Sequence, residues 1–182
     1  VSSEGAEEGE GAMPVEYAGG TTAVPVVSPE TSYIITNLME NVVARGTGRR
    51  AKALGRPVAG KTGTTNDMKD AWFIGYVPQL VAGVWVGYDQ EKSLGSGGSG
   101  GQAAAPIWTG FMQRALAGHP SESFTPPGDI TFVSINSRTG RLARQGAPGS
   151  VTECFLSGTE PRGYDEQAEP EESGGKDSSQ EE

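Results

Sequence analysis

Two long apolar runs separated by two residues constrain this chain more than any other feature. Residues 71–77, Ala-Trp-Phe-Ile-Gly-Tyr-Val, and residues 80–88, Leu-Val-Ala-Gly-Val-Trp-Val-Gly-Tyr, are split only by Pro78-Gln79. A parallel crossover needs a dozen or more residues, so two strands this close in sequence pair as an antiparallel hairpin. Both runs are apolar at successive positions, which predicts a sheet covered by layers on both faces. Gly75, Gly83 and Gly87 are expected where another element approaches the sheet closely.

Helical signals flank the hairpin. Ser28-Pro29-Glu30 reads as an N-cap followed by proline at the first helical position. Ile34, Ile35, Leu38, Met39, Val42 and Val43 then recur at helical spacing, and Gly46 ends the run. A second helix is predicted from about Ala103 to Ala117, its apolar face formed by Ile107, Trp108, Phe111, Met112 and Leu116. Residues 46–56 are basic and broken by glycine and read as a loop. The run Gly-Ser-Gly-Gly-Ser-Gly-Gly at 95–101 reads as a flexible connection. A small hairpin of 130–135 with 141–144 is expected around Asn136-Ser137-Arg138-Thr139-Gly140.

Charge sets the expected organisation. Residues 1–17 hold five acids and no base, and residues 160–182 hold nine acids against Arg162 and Lys176. These ends carry −12 in a chain whose net charge is −9, which leaves +3 for the middle. Acidic, glycine-rich ends poor in aromatics are expected to be solvated tails. The boundaries follow: an acidic segment 1–27, a main body 28–118, a small β extension 119–159 and an acidic tail 160–182. Cys154 is the only cysteine and His119 the only histidine. That excludes an internal disulfide and leaves too few soft ligands for a structural zinc site. His119 stands in a turn-like Gly118-His119-Pro120, a poor place for the base of a Ser-His-Asp triad. Cys154 reads as a buried thiol. No run of about 18 apolar residues exists to span a bilayer. A chain that opens Val-Ser-Ser-Glu, without Met, is expected to be a piece of a longer protein.

Gly55 to Asp67, GRPVAGKTGTTND, carries two chemical signatures at once. Its first eight residues fit the phosphate-cradling pattern G-x-x-x-x-G-K-[ST]. That loop needs a buried strand before it and a helix after it. Arg49-Arg50-Ala51-Lys52-Ala53-Leu54 is no buried strand, and Gly63-Thr64-Thr65-Asn66-Asp67 is a poor helix start. Parallel nucleotide folds are also inconsistent with the hairpin that follows. Its middle, Lys61-Thr62-Gly63, instead fits the K-T-G strand of serine acyl-transfer enzymes, whose companions are S-x-x-K and S-D-N.

The neighbouring strings extend that match. Pro57 to Asp67, then Asp70-Ala71-Trp72-Phe73-Ile74-Gly75-Tyr76, then Val84-Trp85-Val86-Gly87 resemble the late transpeptidase region of class A penicillin-binding proteins. So do Gly46-Thr47-Gly48, Ala105-Pro106-Ile107-Trp108 and Ser157-Gly158-Thr159-Glu160-Pro161, so the resemblance covers about residues 28–161. It implies an α+β fold like that of the serine β-lactamases, an antiparallel sheet flanked by helices, of which this chain holds a C-terminal part. It implies D,D-transpeptidase activity through a serine acyl-enzyme that cross-links peptidoglycan. The expected partners are a stem peptide ending in D-Ala-D-Ala and β-lactam antibiotics. No cofactor, metal or nucleic acid is implied. The expected location is the extracytoplasmic face of a bacterial membrane, with the anchor in a segment absent here.

On a strand alternate residues share a face, so Lys61 and Gly63 point one way and Thr62 and Thr64 the other. By resemblance, Lys61 brings positive charge into the cleft, and Thr62 and Thr64 offer hydroxyls to the substrate carboxylate. Thr64 also gives its backbone N–H to the oxyanion hole. Gly63 leaves room for a peptide laid along the strand, and Thr65 closes the binding segment. The nucleophile is expected outside this chain. Ser173-Gly174-Gly175-Lys176 fits S-x-x-K in letters, but Gly-Gly in an acidic tail does not hold a helix. Ser134-Ile135-Asn136 fits S-x-N but follows the K-T-G instead of preceding it. Without that serine the chain alone is expected to be inactive, and Trp72, Phe73, Val84 and Trp85 are expected to lie uncovered as an apolar patch. Two other readings share the K-T-G: a non-catalytic peptidoglycan-binding module, and a hydrolase that trims peptides or destroys β-lactams.

Overall fold

The computed structural model describes residues 15–17, 21–23 and 25–165. It divides into two compact units, one up to Pro127 and one from Gly128. The Ser173–Lys176 stretch, like most of both acidic ends, lies outside the described residues.

The first unit opens with β1 (Val15–Tyr17) paired antiparallel to β2 (Thr21–Ala23). This pair falls in the segment 1–27, expected to be a solvated acidic tail. Valine, tyrosine and two threonines favour strands, and Ala18-Gly19-Gly20 between them is turn-forming sequence. Helix α1 (Pro29–Arg45) begins as its sequence predicts: the Ser28 hydroxyl accepts the Thr31 N–H at 3.2 Å, with proline following the cap. Gly46 ends it, its N–H donating to the Val42 carbonyl at 3.0 Å.

The stretch expected as a loop is instead a 3-10 helix, Arg49–Leu54. Ala51 is fully buried within it while Arg49, Arg50 and Lys52 stay outside. A short turn with one small residue inward carries no long periodic pattern, which is why composition suggested a loop. Gly55 then takes a left-handed conformation (φ 75°) that stops the turn.

Strands β3 (Ala59–Thr64), β4 (Ala71–Val77) and β5 (Leu80–Val86) form one antiparallel sheet in that order, so β3 is an edge. The β4–β5 hairpin has Val77 opposite Leu80, as a two-residue connection requires. Helix α2 (Ala105–Ala115) follows a π-helical turn, Gly100–Ala104. Trp108 and Met112 of α2 are fully buried with Phe73. Trp108 meets Phe73 edge-on at 5.2 Å between centroids and donates its indole N–H to the Ala82 carbonyl at 2.9 Å. Gly75 makes that packing possible, because a Cβ there would stand 2.9 Å from the Trp108 ring. Gly83 plays no such part, since its nearest neighbour would be Ile74 at an ordinary 3.5 Å.

Only one face of the sheet is closed in this way. Ala71, Phe73, Gly75 and Val77 of β4 are buried, while Trp72 is 44% and Ile74 51% exposed. The expected apolar patch therefore has different members. Phe73 is covered and Val84 packs against the core, while Trp72, Trp85, Ile74 and Val81 are exposed. Runs that are apolar on both faces do not reveal which face the helices take.

The second unit pairs β6 (Ile130–Asn136) with β7 (Ser150–Leu156), Asn136 opposite Ser150. The partner expected for the first strand, 141–144, contributes only an isolated bridge from Leu142 to Ile135. Asn136 organises the turn instead. Its side-chain oxygen accepts the N–H groups of Arg138 (2.9 Å) and Thr139 (3.3 Å), and its amide donates to the buried Asp165 carboxylate. Asn136 is thus committed to a structural network, and Cys154 on β7 is buried.

Candidate functional site: the edge strand and its anion pocket

Residues 61–64 lie extended on an exposed edge. Register sets their faces: Lys61 stands opposite Ile74 and Gly63 opposite Trp72, while Thr62 is opposite Phe73 and Thr64 opposite Ala71. Thr62 and Thr64 thus share the face on which Phe73 and the π-helical turn lie, and Lys61 and Gly63 share the face of Trp72. The backbone alternates too. The Thr65 N–H donates to the Asp70 carbonyl at 3.1 Å, which puts Gly63 and Lys61 in hydrogen-bonded register with β4. The amides of Thr62 and Thr64 consequently face the open edge, where an extended chain or a developing oxyanion could be met.

The Thr62 and Thr64 hydroxyls are positioned by neighbouring segments. Thr62 Oγ1 lies 2.7 Å from Thr47 Oγ1, in the Gly46-Thr47-Gly48 stretch after α1. Thr64 Oγ1 accepts the Gly100 N–H at 3.1 Å, which leaves its own proton free to donate. Gly100 and Gly101 overturn the flexible-connection reading of 95–101. A Cβ on Gly100 would stand 2.2 Å from the Trp72 carbonyl oxygen and 2.5 Å from that of Gly63, and one on Gly101 would stand 2.2 Å from the Thr47 carbonyl oxygen. These glycines are there because backbone packs directly on backbone. Gly63 has its own reason: a Cβ would press on the Trp72 side chain at 3.2 Å.

Between these segments lies a cavity of about 360 Å³. Thr47, Arg49, Arg50, Ser99 and Gln102 line it together with Thr62 and Thr64, and no acidic residue does. Hydroxyl donors, two guanidiniums and no carboxylate define a pocket for an anion. Lys61 is elsewhere: its Nζ donates to the Thr62 carbonyl at 2.7 Å.

The far end of β3 is held by Thr65 and Asp70. The Asp70 N–H donates to Thr65 Oγ1 (2.8 Å), and the Thr65 hydroxyl donates to Asp70 Oδ2 (3.3 Å). Asp70 Oδ1 accepts the Trp85 indole N–H at 2.9 Å. This clamp closes a loop in which Asp67 (φ 62°) and Met68 (φ 52°) both adopt left-handed backbone, a strained state for non-glycine residues. Lys69 beside it pairs with Glu91 at 2.7 Å. That contact raises the Lys69 ammonium above its ordinary value and lowers the Glu91 carboxyl.

The other sequence candidates are not among the residues that line this pocket. His119 follows α2, its carbonyl accepting from Arg56 at 3.3 Å. Ser134 and Asn136 belong to the second unit. Among the described residues no group of three His, Cys, Asp or Glu side chains gathers as metal ligands, and no helix is long and apolar enough to cross a membrane. The sequence reading did not identify Arg49 and Arg50. Their signal was the adjacent arginine pair directly after Gly46-Thr47-Gly48.

An antiparallel sheet flanked by helices, with a K-T-G strand at its edge over an anion pocket, is the arrangement of a penicillin-binding transpeptidase domain. Residues 20–113 match the family described as penicillin binding protein transpeptidase domain, and the chain belongs to that family. Its relatives are of the class A type. Penicillin-binding protein 1A of Pseudomonas aeruginosa is 41% identical over 168 residues, 87% of this chain and 20% of the relative. Penicillin-binding protein 1A of Aquifex aeolicus is 47% identical over 133 residues, 73% of this chain and 18% of the relative. The crystal structure of penicillin-binding protein 1A from Haemophilus influenzae superposes with a TM-score of 0.68 at 33% identity, covering 78% of this chain and 22% of that one. The chain therefore spans about a fifth of the length of these relatives.

Proposed function

We propose that this chain supplies the substrate-binding strand of a serine D,D-transpeptidase that cross-links peptidoglycan. In the reaction a serine oxygen attacks the carbonyl carbon of the penultimate D-alanine, and the peptide bond to the terminal D-alanine breaks. The terminal residue leaves as its amine, and the amine of a second stem peptide displaces the serine. Thr62 and Thr64 hold the terminal carboxylate by their hydroxyls, and the Thr64 N–H stabilises the tetrahedral oxygen. Lys61 brings its charge into the cleft along the open edge, where its Nζ donates to the Thr62 carbonyl at 2.7 Å, Gly63 keeps the strand open to the peptide, and Thr65 fixes the end of the strand through Asp70. The serine comes from a segment of the full-length protein outside this chain, which works on the extracytoplasmic side of the membrane. β-Lactams, whose carboxylate and strained amide mimic the peptide end, acylate the same serine.

The observation that carries this reading is the exposed edge strand whose Thr62 and Thr64 hydroxyls enter an acid-free pocket while their amides face outward. The test is capture of a labelled penicillin by the full-length protein and by the 182-residue chain. Acylation of the first and not the second, slowed in Thr64→Val, is the expected result. Stable labelling of the short chain, or rapid hydrolysis of the drug by the long one, would replace the reading with a different enzyme.

A further inference from the structure

Arg49 and Arg50 border two cavities. Besides the pocket at Thr62 and Thr64, they line a groove of about 580 Å³ between the 3-10 turn Arg49–Leu54 and α2. Ala53 of the turn and Pro106, Thr109, Gly110 and Gln113 of α2 complete its lining, and Thr62 and Thr64 take no part. Positions 106, 109, 110 and 113 share one face of the helix, and the turn packs on that helix.

The lining suits one chemical class. No acid belongs to it, and no ion pair or hydrogen bond engages either guanidinium among the described residues. Adjacent guanidiniums present planar forks that match the oxygens of a phosphate or carboxylate. The other polar groups serve the fold. Thr109 Oγ1 donates to the Ala105 carbonyl at 2.8 Å, and Gln113 Nε2 donates to the Ala53 carbonyl at 3.1 Å, which ties α2 to the turn. Ala53, Pro106 and Gly110 leave an uncharged channel, and a Cβ on Gly110 would meet only Arg114 Nη1, at 3.8 Å. A cavity of this volume takes a small molecule.

We propose that this groove binds a soluble organic anion, a phosphate or carboxylate on a short apolar chain, and that its occupation weakens penicillin capture at β3 by drawing Arg49 and Arg50 out of the pocket there. One pair of side chains cannot serve both cavities at once, so the two sites oppose each other. The coupling rests on the transpeptidase reading; the binding does not.

The probes are hexyl phosphate, inorganic phosphate and hexanol, titrated into the full-length protein by calorimetry while acylation by a labelled penicillin is followed in parallel. Hexyl phosphate should bind roughly tenfold tighter than inorganic phosphate, because part of its chain leaves water, and hexanol should give no measurable heat of binding. Saturating hexyl phosphate should raise the half-saturating penicillin concentration about five- to tenfold, with the rate at saturation kept. That rise should level off once the groove is full, whereas competition for a single site would climb without limit. Gly110→Leu fills the groove from the helix and Ala53→Leu from the turn, and neither residue lines the pocket at Thr62 and Thr64. Each should weaken hexyl phosphate binding by about tenfold or more and keep acylation without ligand within about twofold. No binding of hexyl phosphate, or binding that both leucine variants leave unchanged, overturns the proposed site. Binding without any effect on acylation, or a rise that never levels off, overturns the coupling. A wild-type protein that penicillin does not acylate overturns the transpeptidase reading, while the calorimetry still decides the groove.

Discussion

Gly100→Ala is the perturbation that most directly tests how the site is held together. The added methyl would stand 2.2 Å from the Trp72 carbonyl oxygen and 2.5 Å from that of Gly63. An ordinary contact begins near 3.4 Å, so the π-helical turn and the β3–β4 ladder must separate by about 1 Å. Neither side can yield by a rotamer change, because both are backbone and Gly63 and Trp72 are partners in the ladder. The cost belongs at the upper end of overpacking, about 3 kcal/mol. For a domain of 150–250 residues that lowers Tm by roughly 6–12 °C. Separation also pulls the Gly100 N–H from Thr64 Oγ1, now 3.1 Å away, so penicillin acylation should slow alongside the stability loss. The same glycine run contains its own control. Gly97 would meet nothing within 4 Å and does not have positive φ, so Gly97→Ala should match the wild type within about 0.5 kcal/mol. Thermal unfolding of the full-length protein, read with acylation rate, separates the two substitutions. If Gly100→Ala melts with wild type and acylates normally, the segment is a loose connection and the packing argument is wrong.

Other parts of the structure give equally direct outcomes. Trp108→Ala removes the largest buried side chain and leaves the Ala82 carbonyl without its donor, so urea unfolding should show a loss of about 3–5 kcal/mol. Asp70→Ala frees the Trp85 indole and the Thr65 hydroxyl beside a strained loop. A loss of about 1–3 kcal/mol is expected, with protease cleavage appearing at residues 66–69 before any other site in the first unit. In the second unit, Asp165→Ala strands the Asn136 amide and the Thr139 hydroxyl, and should weaken that unit by about 1–3 kcal/mol in a hydrogen-exchange measurement. Partial burial raises the Glu40 carboxyl above its ordinary value of 4.5. The folded state then holds a proton the unfolded chain has released, so wild-type stability falls as pH rises from 4.5 through the raised value. Glu40→Gln should therefore be the more stable protein at pH 7 and gain nothing below pH 4.5, which pH-dependent denaturation checks.

The features legible in the sequence were those fixed by local chemistry. Ser28-Pro29 begins α1 and Gly46 ends it because caps act within one turn. The β4–β5 pairing followed from a two-residue connection, and of the apolar face expected for α2 Trp108, Met112 and Leu116 are buried while Ile107 and Phe111 are exposed. The features that were not legible depend on which remote segment comes near. Glycines at 95–101 look alike in composition, yet Gly97 meets nothing and Gly100 is pressed against two backbones. Residues 141–144 lost their place to Ser150–Leu156, which forms a full seven-residue ladder with β6 and buries Cys154.

The same distinction explains why the pocket was half visible. The alternation of Lys61 and Gly63 against Thr62 and Thr64 is a property of any strand, and β3 obeys it. Alternation puts the lysine and the hydroxyls on different faces of the strand, yet the lysine side chain is long enough to reach the open edge, where its Nζ donates to the Thr62 carbonyl. The alternation does not say what else lines the pocket beside the hydroxyls, because Arg49 and Arg50 come from a turn packed mainly against the two helices. Ala51 anchors that turn: it is fully buried in the core with Phe73 and Trp108, and the adjacent Arg49 and Arg50 line the pocket. Core packing and the charge of the binding site are therefore coupled through one small residue. A bulkier side chain at Ala51 should displace that turn as well as destabilise the domain, so Ala51→Leu should lower Tm and slow penicillin acylation by the full-length protein together.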